Sequence, residues 1–202
     1  RVAFFNSGTE AIMVALRIAK AVTRKNKVVF FKRSYHGTFD SLLTLKSSQE
    51  TNLANECIPG VTQSILNESY LFEYGSEESI DFIQKNGDTI AAVLIEPVQS
   101  RNPGFQPISY LQRIREITTD NNIALIFDEV ITGFRIGMAG CQKYFDIYAD
   151  IVTYGKVIGG GLPIGVVAGK SRFLDALDGG FWQYGDQSFP SIKTTFVAGT
   201  FC

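Results

Sequence analysis

Charge of one sign is never in surplus: 19 Lys+Arg stand against 20 Asp+Glu in 202 residues, a formal net charge of −1. A nucleic-acid binder needs a basic excess and an acidic tail protein a run of like charge, so both classes are excluded. Histidine is almost missing. His36 is the only one, which excludes His-rich metal sites. A Ser–His–acid triad would have to use His36, and no Gly-x-Ser-x-Gly turn exists to present its serine. The three cysteines, Cys57, Cys141 and Cys202, are widely spaced and odd in number, with neither metal-ligand nor redox-pair spacing. They read as reduced, inert thiols of a cytoplasmic protein. No apolar run approaches the 18 or so residues of a membrane helix, so no membrane partner is expected. Charged residues make up only 19% against 45% hydrophobic, the balance of a packed globular domain. The ends read as cut: Arg1–Phe5 already has the character of a buried strand rather than a signal segment, and Phe196–Cys202 stops in apolar sequence. The chain is expected to be a piece of a longer polypeptide.

Short apolar runs recur at Val2–Phe5, Val28–Phe31, Ala91–Ile95, Ile123–Phe127, Ile151–Tyr154 and Gly165–Ala168. Helical periodicity follows several of them. Ile12, Ala15, Leu16, Ala19 and Val22 share one face after Ser7, Ser76-Glu77-Glu78 opens a second helix, and a third spans about Ser109 to Thr119. Continuous apolar strands alternating with helices predict an α/β fold with a mostly parallel sheet and helices on both faces. About ten glycine-rich residues separate Tyr154 from Gly165, too few for a helical crossover, so those two strands are predicted to be antiparallel. Residues 46–70 carry the weakest pattern and are expected to form a surface excursion.

Four segments could carry chemistry. Asn6-Ser7-Gly8-Thr9-Glu10 joins a strand to a helix. Ser7 and Glu10 form a capping box, and Gly8 and Thr9 offer N–H groups at the positive helix end, which suits a phosphate or simply a well-capped helix. Tyr35-His36-Gly37 follows the strand ending near Phe31; Tyr35 fits either a stacking platform or core packing, and His36 a structural hydrogen bond. Asp128-Glu129 ends a buried strand, where open α/β sheets place ligands. A metal reading would need a phosphate loop that is missing, and a plain turn cap by Asp128 stays open. Lys156 follows the next strand in an apolar, glycine-rich loop, where desolvation would disfavour the ammonium and free the amine as a nucleophile. In this order the parts match a pyridoxal-phosphate enzyme: a phosphate cup, a ring stacker, a pyridinium partner and a Schiff-base amine.

Through NSGTEA (6–11), YHG (35–37), EPV (96–98), FDEVITGFR (127–135), GKVIGGGLPIG (155–165) and AGTF (198–201), the chain resembles class III aminotransferases of fold type I, glutamate-1-semialdehyde aminomutase among them. Residues 96–107 and 178–190 look like the aminotransferase domain of hybrid polyketide/nonribosomal-peptide synthetases of the mycosubtilin, microcystin and nodularin type. The resemblance implies a partial large domain over residues 1–202, without the family's N-terminal segment and C-terminal small domain. It implies pyridoxal 5'-phosphate as cofactor, Lys156 as the Schiff-base lysine and Asp128 as partner of the pyridinium nitrogen. Gly8 and Thr9 would hold the phosphate, and Tyr35 and Val130 would cover the two ring faces. Thr200 would reach the phosphate in the neighbouring subunit of a homodimer with shared sites.

Relatives acting on terminal amines carry Glu where this chain has Arg101. The function expected on this resemblance is amino transfer from an amino-acid donor to a β-keto acyl chain on a carrier protein. The alternatives are a glutamate-1-semialdehyde aminomutase of tetrapyrrole synthesis and a non-catalytic interaction module.

Overall fold

The computed structural model describes residues 1–47 and 54–177. Strand β1 (Val2–Phe5) leads into helix α1 (Gly8–Thr23), followed by β2 (Lys27–Phe31), β3 (Thr44–Ser47), β4 (Ala54–Cys57), α2 (Gln63–Leu66) and β5 (Ser69–Phe72). Then come α3 (Glu77–Lys85), β6 (Ile90–Ile95), α4 (Ile108–Asp120), β7 (Ala124–Asp128), α5 (Gly140–Phe145), β8 (Ile151–Gly155), β9 (Gly165–Gly169) and α6 (Ser171–Leu174). Seven strands form one sheet in the order β1-β9-β8-β7-β6-β2-β5, and β3 and β4 pair separately. Strands β5, β2, β6, β7 and β8 are mutually parallel, and β9 runs antiparallel to both β8 and β1. The predicted antiparallel pair is therefore present, joined through Lys156–Pro163 without a crossover helix.

The central strands are apolar throughout because both of their faces are covered. Alternate residues point to opposite sides of a pleated strand. Val28, Phe30, Ala92, Leu94, Ala124 and Ile126 pack with Ile12, Ala15, Leu16 and Ala19 of α1. Their neighbours Val29, Phe31, Val93, Ile95, Leu125 and Phe127 face Ile80 and Ile83 of α3 and Leu111 and Ile114 of α4. Each fully buried Ile or Leu contributes roughly 1.5–3 kcal/mol relative to its exposed state, so the two layers lock α1, α3 and α4 to the sheet.

Two expectations need correction. Strand β1 is not buried: it lies at the sheet edge, with Val2 57% and Phe4 54% exposed. Residues 46–70 are not a mere excursion, since the described part includes α2 and the first two residues of β5, the opposite edge strand. Helix α5 was also not foreseen.

One glycine fixes how α1 meets the sheet. A Cβ on Gly165 would lie 2.0 Å from the Ser7 carbonyl oxygen, a backbone atom that cannot rotate away. Gly165 pairs with Phe5 on one side and Gly155 on the other, so the missing side chain lets the start of α1 seat over β9. Gly165→Ala in the full-length protein is expected to lower stability by about 2–3 kcal/mol, the upper range for overpacking. Denaturant unfolding will measure it; a loss below half a kcal/mol would contradict this close approach.

Candidate active site

Strands β1, β2, β6, β7 and β8 all run in one direction, so their carboxyl ends gather on one side of the sheet. β2 and β6 are neighbours although their connections leave in opposite directions, the topological position at which α/β sheets open a crevice. The loops leaving these ends enclose a cavity of about 290 Å³ lined by Ser7, Gly8, Thr9, Tyr35, Asp128, Val130 and Lys156, among others. Six of the seven site residues named from the sequence thus converge on one space. The seventh, Thr200, lies outside the described residues, as do the 178–190 and 198–201 segments.

The start of α1 forms one wall. Ser7 is its N-cap, and its hydroxyl oxygen accepts from the Glu10 N–H at 3.2 Å. Glu10 returns a carboxylate oxygen to the N–H of Asn6 at 2.7 Å, one residue before the cap position a capping box would use. The N–H groups of Gly8 and Thr9 stay uncommitted among the described residues, at the positive end of a 16-residue helix. Val130 is wedged beside them: a Cβ on Gly8 would approach its side chain to 3.2 Å, and one on Gly155 to 3.3 Å.

Asp128 closes the floor. It is buried at the end of β7, and burial of a carboxylate has to be met by donors. One oxygen accepts from the Val130 N–H at 3.1 Å and the Thr153 hydroxyl at 3.4 Å, and the other meets His36 Nδ1 at 2.7 Å. The turn cap is therefore present, and the same carboxylate lines the cavity. His36 Nε2 is buried and finds no hydrogen-bond partner among the described residues. Nδ1 is the ring nitrogen that faces the carboxylate, which leaves Nε2 as the orphan.

The Tyr35 loop is held from outside the cavity. Glu96, buried at the end of β6, accepts from the Tyr35 N–H at 2.8 Å and the Ser100 N–H at 2.7 Å. Gly37 has φ +87°, and a Cβ there would lie 2.3 Å from Thr9 Oγ1, so the loop rests directly on the first turn of α1. Tyr35 itself is half exposed, a platform rather than core. Sequence reasoning quoted Glu96 only within EPV and gave it no role. The rule that singled out Asp128, an acid ending a buried strand, would have found it.

Glu129, adjacent to Asp128, points away from the cavity, as strand alternation requires. It accepts from the N–H groups of Cys141 at 2.7 Å and Gln142 at 3.3 Å and organises the 130–141 loop. Burial pushes its carboxyl above the ordinary value, while those backbone donors pull the other way. The Cys141 thiol is pushed up to about 12, chiefly by burial, which keeps it inert.

Lys156 departs from expectation. It follows β8 directly rather than after a gap, adopts the left-handed φ of 46°, and is exposed. The burial expected from its apolar neighbours does not occur.

The aminotransferase class-III family profile matches residues 1–194. Glutamate-1-semialdehyde 2,1-aminomutase of Sulfolobus acidocaldarius is 42% identical over 200 residues, 98% of this chain and 47% of that protein. Its namesake from Thermomicrobium roseum is 43% identical over 91% of this chain and 44% of its own length. The crystal structure of an omega-transaminase from Sphaerobacter thermophilus superposes with a TM-score of 0.82 at 32% identity, over 98% of this chain and 45% of that one. A transaminase with PLP bound matches at a TM-score of 0.78 and 30% identity, over 96% and 45% of the two chains. The chain therefore spans about half the length of the relatives it matches. With nearly all of its residues inside the family profile and its strand ends gathered around one cavity, the chain belongs to the class-III aminotransferases.

Proposed function

We propose that this chain is the cofactor-binding part of a pyridoxal-phosphate-dependent enzyme that moves an amino group within glutamate-1-semialdehyde. The observation that carries the reading is its likeness, at 41–43% identity, to proteins named glutamate-1-semialdehyde 2,1-aminomutase. The carrier-bound β-keto acceptor expected from the sequence finds no support among these relatives and stands as the second reading. Arg101, exposed on the turn after β6, is the observation in its favour.

The residues around the cavity fit the cofactor. Two uncommitted N–H groups at a helix N-terminus suit a phosphate. The glycines at 8 and 155 let Val130 pack closely between them as an apolar wall of the cavity. A half-exposed aromatic ring, a buried carboxylate and a primary amine line the same space. Bound there, pyridoxal phosphate supplies an electron sink for a carbanion at the substrate's amine-bearing carbon.

The chain's own groups would do the rest. Gly8 and Thr9 hold the phosphate through backbone N–H, and Tyr35 and Val130 enclose the ring. Asp128 would keep a proton on the ring nitrogen, and His36 and Thr153 orient that carboxylate. Lys156 Nζ would hold the cofactor and would carry a proton to and from the substrate carbon. Homodimerisation, with Thr200 reaching the partner's site, completes the proposal.

Borohydride reduction of the full-length holoprotein and peptide mapping is expected to place the phosphopyridoxyl label on Lys156; a label elsewhere overturns that assignment. Asp128→Asn is expected to retain the cofactor but lose turnover on the order of 100-fold or more, since an amide cannot hold the ring proton. Single-turnover kinetics with the reconstituted variant will decide, and near-normal rates would give the carboxylate another role. The two substrate readings separate in one comparison. Conversion of glutamate semialdehyde without amination of a carrier-linked β-keto chain supports the aminomutase, and the reverse supports the second reading.

A further inference from the structure

Two exposed cations sit in turns that lead into the cavity wall, and neither is paired among the described residues. Arg33 sits in the Phe31–Ser34 turn, closed by the Ser34 N–H donating to the Phe31 carbonyl at 3.2 Å. Arg101 sits in the Gln99–Asn102 turn, closed by the Asn102 N–H donating to the Gln99 carbonyl at 2.9 Å. Both occupy the third position of their turns, and both are exposed. Neither makes a hydrogen bond or ion pair with another described residue. Lys32, next in sequence to Arg33, is by contrast paired with Glu73 at 3.0 Å.

The two turns are bolted together. The Gln99 side-chain amide donates to the Lys32 carbonyl at 2.8 Å and to the Ser34 hydroxyl oxygen at 2.9 Å, spanning the residue between them, Arg33. Glu96 ties the same pair of segments through Tyr35 and Ser100. The platform carrying both guanidiniums is thus rigid, and it continues directly into Tyr35, Glu96 and Val98, which line the cavity. Arg33 also holds a left-handed φ of 66°, a conformation that favours glycine.

We propose that Arg33 and Arg101 form a specificity clamp that recognises an oxyanion carried by the substrate away from its reacting carbon. Guanidinium groups match both carboxylate and phosphate geometry, so the group is either a substrate carboxylate or the phosphate of a phosphopantetheine arm. This rests on the aminotransferase reading above and deepens it, because it makes the anion, rather than chain length, the feature selected at the entrance. Rigid mounting leaves only side-chain entropy to be lost on binding.

The test uses the full-length holoenzyme and two substrate pairs, each differing by one anionic group. One pair is glutamate-1-semialdehyde and 2-aminobutanal, which lacks the carboxylate. The other is a β-keto thioester of phosphopantetheine and of pantetheine. The Arg33→Gln/Arg101→Gln variant is expected to raise KM about tenfold for the anionic member of one pair, about 1.4 kcal/mol. Its kcat, and the KM of the neutral member, should stay within about twofold, as expected for loss of uniform binding. The pair that responds identifies the source of the oxyanion. Equal KM changes for anionic and neutral members, or none, would overturn the clamp. If the wild-type enzyme turns over neither pair, the functional reading itself fails and takes the clamp with it.

Discussion

A carboxylate buried at the end of a parallel strand must be surrounded by donors, and Asp128 recruits them from three places. Its own turn provides the Val130 N–H, the neighbouring strand Thr153, and the loop after β2 His36. Each donor fixes an element. Val130 is set between Gly8 and Gly155, Thr153 is set by the β7–β8 register, and His36 draws the Tyr35 loop over the cavity. That loop would still be free to swing without Glu96, a second buried acid at the neighbouring strand's end, which takes the Tyr35 N–H. The site is therefore an arrangement of satisfied acids first and a cavity second. Low local dielectric makes every such bond stronger and every omission more costly.

Much of this was legible because both the strands and the site obey local rules. Fully apolar runs gave the central strands, and their bounds fall within a residue or two of β2, β6, β7 and β8. The short glycine-rich link before Gly165 gave the antiparallel strand. The site residues were legible because strand ends and a helix start are sequence features, and the topology brings such points together. What escaped was set by tertiary position. Val2 and Phe4 look like core yet lie on an edge, which only the strand order decides. Strand β5 has four residues following a polar stretch, and it reads as a strand only beside β2. Lys156 has apolar neighbours in sequence but an exposed place in space.

Adjacent acids with opposite duties are a further outcome of strand geometry. Asp128 and Glu129 could not be told apart by composition, and a pleated strand sends them to opposite sides. One faces the cavity, and the other gathers the 139–142 backbone, with Gly140 leaving room for its carboxylate. A Cβ at Gly140 would come within 2.2 Å of Glu129 Oε2, so the loop's tightness and the second acid's burial are one feature.

The left-handed backbone at Lys156 has a consequence for anyone improving this protein. Glycine adopts a φ of 46° more easily than lysine, so at this position the folded state gains from discarding the amine. Selection scored on heat resistance alone would reward that loss. Screens for hardier forms should therefore hold this codon fixed or score catalysis in every round.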